Sequence, residues 1–363
     1  MAEGFIQQQR EKQMEDVGGE YFRELSSRSF FQSSSTGKSS KFVMHDLIND
    51  LAQVVARGTC FRLDDKLKDQ EQHINLKKAR HSSYMQKLWQ CMEDFEIFYK
   101  AMHLRTLLPF LIPSYSQSLV SNNVALNLLS KLRCLRVLSM SKYCISELPN
   151  SVGYLKHLRY LNLSYTLIEE LPKSLGSLYN LQTSMLRGCQ NLKKLPIDME
   201  NLIDLRHLDI TNADSLEEIP LGIGKLTSLV TLSNFIVTKN NGFRIRELGN
   251  LIYLRGELSL SGLQNVVDPL DAREANLINK EGLKVLSMEC SVGLDESQDR
   301  RVETEVLDML RPHKNLEELH IKCYLGTGFP TWIGDPLFSN VVHKFTKLQK
   351  MCFLTATWTI TLA

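Results

Sequence analysis

At 363 residues the chain is long enough for two or three structural units, and its 43% apolar and 23% charged fractions are those of a globular protein. A net charge of +2 argues against bulk attraction to nucleic acid or anionic membrane, so neither is an expected partner. Eight cysteines without a C-x-x-C pair, no basic-then-apolar leader and no apolar run of about 18 residues argue against a disulfide framework, a secretory signal and a spanning helix, and make the cytoplasm the expected location.

Residues 1–62 read as one small domain. "GGEYFRELSSR" has helical spacing, with Tyr21, Phe22 and Leu25 on one face. "SFFQ" and "KFVM" read as strands joined by the polar turn "SSSTGKSS". "HDLINDLAQVVA" predicts a second amphipathic helix with Leu47, Ile48, Leu51 and Val55 turned inward. Helix, hairpin, helix is the outline of a winged helix. Such a fold can read DNA with one helix, but Asp46 and Asp50 make that face acidic rather than basic. Residues 63–103 are charged and weakly patterned, and are expected to be a connector.

From residue 104 the sequence repeats itself. "LRTLLPF" at Leu104 predicts a first, imperfect rung. Full units then start at Leu135, Leu158, Leu181, Leu205 and Leu229, with periods of 23, 23, 24 and 24 residues. Pro149, Pro172, Pro196 and Pro220 recur in step with them. In L-x-x-L-x-L the side chains alternate, so Leu158, Leu161 and Leu163 turn inward while their neighbours turn outward. A single unit leaves its apolar face bare and needs the next stacked on it. The expected class is therefore α/β: a leucine-rich-repeat solenoid with a curved parallel sheet over residues 104–345, preceded by the winged helix. Ile145, Ile168, Leu192 and Leu216 are expected on the returning side. The proline after each Leu or Ile turns the chain onto the convex face. After Leu232 the units lengthen: "LRGELSLSGLQNV" (254–266), "LKVLSMEC" (283–290) and "LEELHIKC" (316–323) keep the strand rhythm with longer insertions between them, and a helix is predicted around Val302, Val306, Leu307 and Leu310. Residues 346–363 lose the pattern and read as an atypical tail.

The repeat phase names candidate surface residues. Val137 and Ser139, Tyr160 and Asn162, Thr183, Met185 and Arg187, and His207 and Asp209 are expected on the concave face, as are Ser141, Ser164 and Thr211. Mixed aromatic, polar and charged groups there suit a protein partner. Arg136, Arg159 and Arg206 share one position in neighbouring rungs, interrupted by Gln182, and form a candidate domain-docking column. Like charges at strand spacing repel, so an acidic partner is one reading and solvated arginines the other. Ser184 stands where other rungs carry Leu138, Leu161 and Leu208, and predicts a local weakness. His320 and Cys323 form a lone H-x-x-C without a second ligand pair, so no metal is expected.

Two triplets near the start suggest a nucleotide. Gly37-Lys38-Ser39 reads like the end of a phosphate-binding loop, but Gln32 replaces the required earlier glycine, and the segment lies between strands rather than before a helix. Met44-His45-Asp46 is different. With "MAEGFIQ", "EDVGGEYFRELSSRSFFQ" and the repeats, it resembles plant intracellular nucleotide-binding leucine-rich-repeat disease-resistance proteins of the coiled-coil class. The resemblance implies that Met44, His45 and Asp46 are the nucleotide-sensing motif of a switch domain, with the histidine on the ADP β-phosphate and the aspartate stabilising the surrounding fold. It also places the coiled coil and the phosphate-binding loop before "MAEGFIQ", so this chain is expected to be a fragment that uses neither ADP nor ATP by itself and catalyses nothing. The resemblance thus implies a defence protein acting through recognition of a pathogen effector or guarded host protein, or through restraint of a receptor switch domain by its repeats. The alternatives are an ATP/ADP-binding switch, if the upstream region belongs to the gene product, and a free-standing adaptor or decoy.

Overall fold

The computed structural model describes residues 1–7, 12–34, 41–56, 58–63, 76–85, 95–110, 118–119, 122–239, 242–290, 300–322 and 330–334. Gly37, Lys38 and Ser39, Cys323 and the tail from residue 346 lie outside the described residues.

The N-terminal unit is a helix, a hairpin and a helix: α1 (Met14–Ser27), β1 (Phe31–Ser34), β2 (Lys41–Met44) and α2 (Asp46–Val55), with β1 and β2 antiparallel. Helix α1 starts four residues before the expected Gly18, because Glu15 and Asp16 in its first turn suit the positive end of the helix. Phe22 stacks on Phe31 at 5.4 Å between ring centroids and meets Phe42 edge-on at 4.7 Å, tying helix to hairpin. The inward face expected of α2 is corrected. Leu47, Leu51 and Val55 are 72%, 58% and 77% exposed, and no residue of α2 is buried. A two-stranded hairpin and one helix offer too little surface to cover that stripe.

The rest is solenoid. An eight-stranded parallel sheet runs through β3 (Cys60–Leu63), β4 (His81–Met85), β5 (Thr106–Phe110), β6 (Val137–Ser139), β7 (Tyr160–Asn162), β8 (Thr183–Met185), β9 (His207–Asp209) and β10 (Thr231–Leu232). A second parallel sheet continues with β11 (Asn234–Ile236), β12 (Arg255–Ser261), β13 (Gly282–Glu289) and β14 (Glu318–Lys322). Between strands lie α3 (Glu96–Lys100), α4 (Asn122–Lys131), α5 (Pro269–Glu274) and α6 (Arg300–Met309), with short 3₁₀ turns in the regular repeats. The connector expected at 63–103 is corrected: it carries β4 and α3, and the sheet begins at Cys60. Its rungs escape the leucine pattern because aromatic residues fill them. Tyr84, Phe95 and Phe98 are buried and mutually packed, with centroids 5.5–6.2 Å apart.

In the regular repeats the register is Leu138, Leu161, Ser184, Leu208, in line across four strands. Leu135, Leu158, Leu181 and Leu205 are fully buried, as are Ile145, Ile168 and Leu192 on the returning side. Each such side chain contributes roughly 1.5–3 kcal/mol by leaving water. Pro149, Pro172 and Pro196 stand directly before 3₁₀ turns, whereas after Pro220 the turn starts at Ile223, behind Gly222. Neighbouring turns pack so closely that a Cβ on Gly176 would lie 2.3 Å from the Asp198 carbonyl oxygen. Ser184 is fully buried and its hydroxyl has no hydrogen-bond partner, in keeping with the expected weak rung. The predicted late helix is α6, whose Val306 and Leu307 are buried together with Leu310 just after it.

One buried charge was not anticipated. Lys280 is 1% exposed, and its Nζ donates to the carbonyls of Leu248 at 2.7 Å and Leu251 at 2.9 Å. Burial pushes its pKa down to about 8.

Candidate functional site

The residues just before β5 to β10, with Arg255 at the start of β12, form a lateral column, because the N–H of each donates to the carbonyl of the equivalent residue one rung earlier. Arg105, Arg136, Arg159, Gln182, Arg206, Val230 and Arg255 follow one another in this way. The arginines expected to dock a separate domain are met by the chain's own N-terminal segment. Arg136 Nη1 donates to the Glu3 carbonyl at 2.9 Å and lies 3.7 Å from its carboxylate. Arg159 Nη1 donates to the Ala2 carbonyl at 3.2 Å. Arg206 grips Glu15 with two bonds of 2.7 Å, and its Nη2 also reaches Gln13 Oε1 at 2.6 Å. Arg255, which sequence reasoning missed, donates to Asp16 at 2.8 Å and stands 3.5 Å from Glu15.

Glu15 is the centre of this contact. His207 Nε2 lies 3.0 Å from its Oε1, and its side chain is only 16% exposed. Burial opposes its ionisation, but the hydrogen bonds from Arg206 and His207 outweigh that and hold the carboxyl well below the usual range. Val17, next on α1, is 2% exposed. At the other end Glu3 accepts from Thr106 Oγ1 at 2.6 Å.

The concave face holds a cleft of 860 Å³. Of the residues expected there, Thr183, Met185, Arg187, His207, Asp209 and Thr211 line it. Val137, Tyr160 and Asn162 are half-buried and lie outside it. Ser139 is corrected: it is 4% exposed with its hydroxyl toward Ser141, itself 6% exposed, so neither offers a contact surface. Ser164 is 6% exposed, and its N–H donates to Asn162 Oδ1 at 2.9 Å, which turns that side chain to the fold. Asp209 accepts from Thr211 N and Oγ1 and from Arg187 Nε at 2.9 Å. Burial raises its pKa, but the Thr211 and Arg187 bonds hold it below the ordinary value.

The cleft extends into later rungs, whose strands the sequence predicts but whose concave residues it had not named. Thr231, Ser233, Ser259, Ser287, His320 and Lys322 line it, and Ser259, Ser287 and His320 are register partners on adjacent strands. The alternation in "ELSLS", "VLSM" and "ELHIK" marks them as outward-facing, but concave residues were named only for the regular repeats. The Ser287 hydroxyl is buried without a hydrogen-bond partner.

The motif Met44-His45-Asp46 lies away from this face. Met44 ends β2 opposite Phe31, and His45 caps α2, its Nδ1 accepting from the Leu47 N–H at 3.3 Å. Asp46 is exposed in the first turn. Among the described residues, no group of three or more His, Cys, Asp and Glu side chains could hold a metal ion, and no helix is long and apolar enough to cross a membrane.

The leucine-rich repeat region family matches residues 115–352, and the disease resistance protein winged helix domain matches residues 1–52. The chain belongs to the plant leucine-rich-repeat disease-resistance proteins. It is 41% identical over 351 residues to RPP13-like protein 1 of Arabidopsis thaliana, covering 94% of this chain and 32% of that protein. It is 35% identical over 357 residues to disease resistance protein RGA2 of Solanum bulbocastanum, covering 97% and 32%. The chain thus spans about a third of the length of these curated relatives. The two units thus match two different family models, and in this chain the arginine column meets the N-terminal segment.

Proposed function

We propose that this chain is a recognition and restraint portion of a plant defence protein, acting in the cytoplasm without catalysis of its own. The concave cleft takes a protein partner, a pathogen effector or a guarded host protein. The lateral arginines hold the winged-helix segment on the solenoid and limit its movement. The observation that carries this reading is Glu15, held between Arg206, His207 and Arg255 at the edge of the cleft. In this reading the chain binds no nucleotide by itself.

The test is hydrogen exchange on the full chain with Arg136, Arg159 and Arg206 all replaced by Glu. Amides of residues 12–27 are expected to exchange at least about tenfold faster than in the unaltered chain, a loss of about 1.4 kcal/mol of protection. Strands β6 to β9 should keep their protection, since the three side chains stand outside the leucine core. Unchanged exchange in residues 12–27 would remove the restraint from the proposal.

A further inference from the structure

The net charge of +2 conceals an uneven distribution over the solenoid. From β5 to β9 the chain enters each strand through a tight turn, closed by the Leu104 N–H on the Ala101 carbonyl and by equivalent bonds at Leu135, Leu158, Leu181 and Leu205. The residue after each accepting carbonyl is the tip of its turn: Met102, Arg133, Lys156, Tyr179 and Ile203 in successive rungs, all exposed. Met102, Tyr179 and Ile203 are 61%, 56% and 60% exposed, and Tyr154, just before the turn of its rung, is 59% exposed. Stacked at about 4.8 Å, the five tips make a row of roughly 19 Å.

Aromatic rings, not carboxylates, hold the cations of this row. Lys131 Nζ lies 5.0 Å from the Tyr99 ring centre, Arg133 Cζ 5.2 Å from that of Tyr154, and Lys156 Nζ 5.5 Å from that of Tyr179. Among the described residues none of the three forms an ion pair. Lys100 stands exposed one rung before Lys131 at the same repeat position, and the carboxylates of the flank are Glu96 on α3 and Asp204 after the last tip. The flank reached after each strand is acidic instead. There Glu147, Glu170, Lys194 and Glu218 bridge one another in a row.

Exposed methionine, tyrosine and isoleucine among unpaired lysine and arginine suit the boundary between water and an anionic bilayer. The cations meet the headgroups, while the apolar tips reach the acyl boundary beneath them. A peptide fits the row less well. The turn bonds already use the N–H groups of the frame leucines, so this flank offers no free strand edge to which a chain could add. The acidic flank is repelled by the same surface, which fixes the orientation.

We propose that the row of turns at Met102, Arg133, Lys156, Tyr179 and Ile203 docks the solenoid on the surface of an anionic lipid bilayer. This goes beyond the recognition-and-restraint reading and does not depend on it, since the cleft is lined from the strands and not from these turns.

The test is co-sedimentation of the full chain with vesicles of phosphatidylcholine, with and without about one third phosphatidylserine. At about 0.1 M salt the anionic vesicles should bind at least about tenfold more tightly than the neutral ones, and less tightly as salt rises. Arg133→Glu with Lys156→Glu should cost at least about tenfold on the anionic vesicles. Lys193→Glu with Lys194→Glu makes the same change of net charge on the acidic flank and should alter binding by less than about twofold. Tyr179→Ser with Ile203→Ser should weaken binding at least about threefold and leave its salt dependence in place. All six side chains are exposed, so the variants should melt with the unaltered chain. Equal binding to the two kinds of vesicle, equal losses in the two charge variants, or unchanged binding in the Tyr179/Ile203 variant would overturn the proposal. So would binding of a poly-glutamate peptide that is lost in the Arg133/Lys156 variant while neither vesicle binds, an outcome that assigns the flank to an acidic protein.

Discussion

The regular repeats and the winged-helix unit carry the same kind of amphipathic pattern and end in opposite states. Leu158, Leu181 and Leu205 are fully buried, while Leu47 and Leu51 of α2 are 72% and 58% exposed. Periodicity identifies which side chains share a face, but it does not say what covers that face. A repeat brings its own cover, because the next unit repeats the same apolar edge at strand spacing. The hairpin and α2 have no such neighbour among the described residues. The solenoid is thus held by its own periodicity, and the winged-helix unit by polar contacts made at its N-terminal side.

The largest test of that contrast is a pair of identical substitutions. Leu161→Ala should lower stability by about 2–5 kcal/mol, since a stacked rung relaxes only partly around the cavity. Leu51→Ala should change it by less than about 0.5 kcal/mol. Urea unfolding of the full chain measures both. Similar losses at the two positions would show that α2 is covered in solution.

The next effect has the opposite sign. Ser184 is a fully buried polar residue without a partner, between Leu161 and Leu208 in register. Ser184→Leu should restore the rung and raise stability by roughly 1–3 kcal/mol, combining recovered burial with removal of the unsatisfied hydroxyl. A lower melting temperature would mean that neighbouring side chains have already closed the space, so that the added methyl groups overpack it.

Ser184 also marks how far the sequence could be read. Repeat phase, inward leucines and the weak rung come from spacing alone, because a solenoid's core is built from contacts between equivalent positions. The rungs at β3 and β4 did not, since Tyr84, Phe95 and Phe98 fill a core there without repeating a leucine. At the site, the arginine column was legible as a column, yet its partner was not. Glu3, Glu15 and Asp16 lie more than 130 positions from Arg136, Arg206 and Arg255, and no local pattern links them. In the other half of the cleft the strand rhythm of β12 to β14 was legible, but the insertions of unequal length obscured which of their residues stack in register with one another.

Lys280 sharpens the comparison within the solenoid, where a cation takes the place of apolar cover. Its folded pKa of about 8 lies below the ordinary 10.5, so between those values the unfolded chain binds more protons than the folded one. Stability should therefore rise as pH increases from about 8 to 10.5, and the cost of burying the charge is fully present below 8. Lys280→Met should remove that slope and leave stability at pH 7 within about 1–2 kcal/mol of the original, as buried charges replaced by apolar groups often do. Melting temperatures of both proteins across this range decide it. The same slope in both would assign it to other groups.

The smallest effects separate two carboxylates on α1. Glu15 lies in the partly buried contact with Arg206, whereas Glu24 pairs with Arg28 one turn away, both side chains being more than half exposed. Glu24→Gln should cost only about 0.2–0.5 kcal/mol, an amount erased near 1 M salt, where the Debye length falls to about 3 Å. Glu15→Gln should cost about 1–2 kcal/mol of protection in residues 12–27 and keep most of that cost at high salt, because neutralising it leaves the Arg206 fork partly desolvated without its charge partner. Hydrogen exchange at 0.1 M and 1 M salt reads both variants on one helix. Equal costs with equal salt dependence would reduce Glu15 to one more surface pair, and the join between the winged-helix unit and the solenoid would then rest on the buried Val17 and the contacts at Ala2, Glu3 and Asp16.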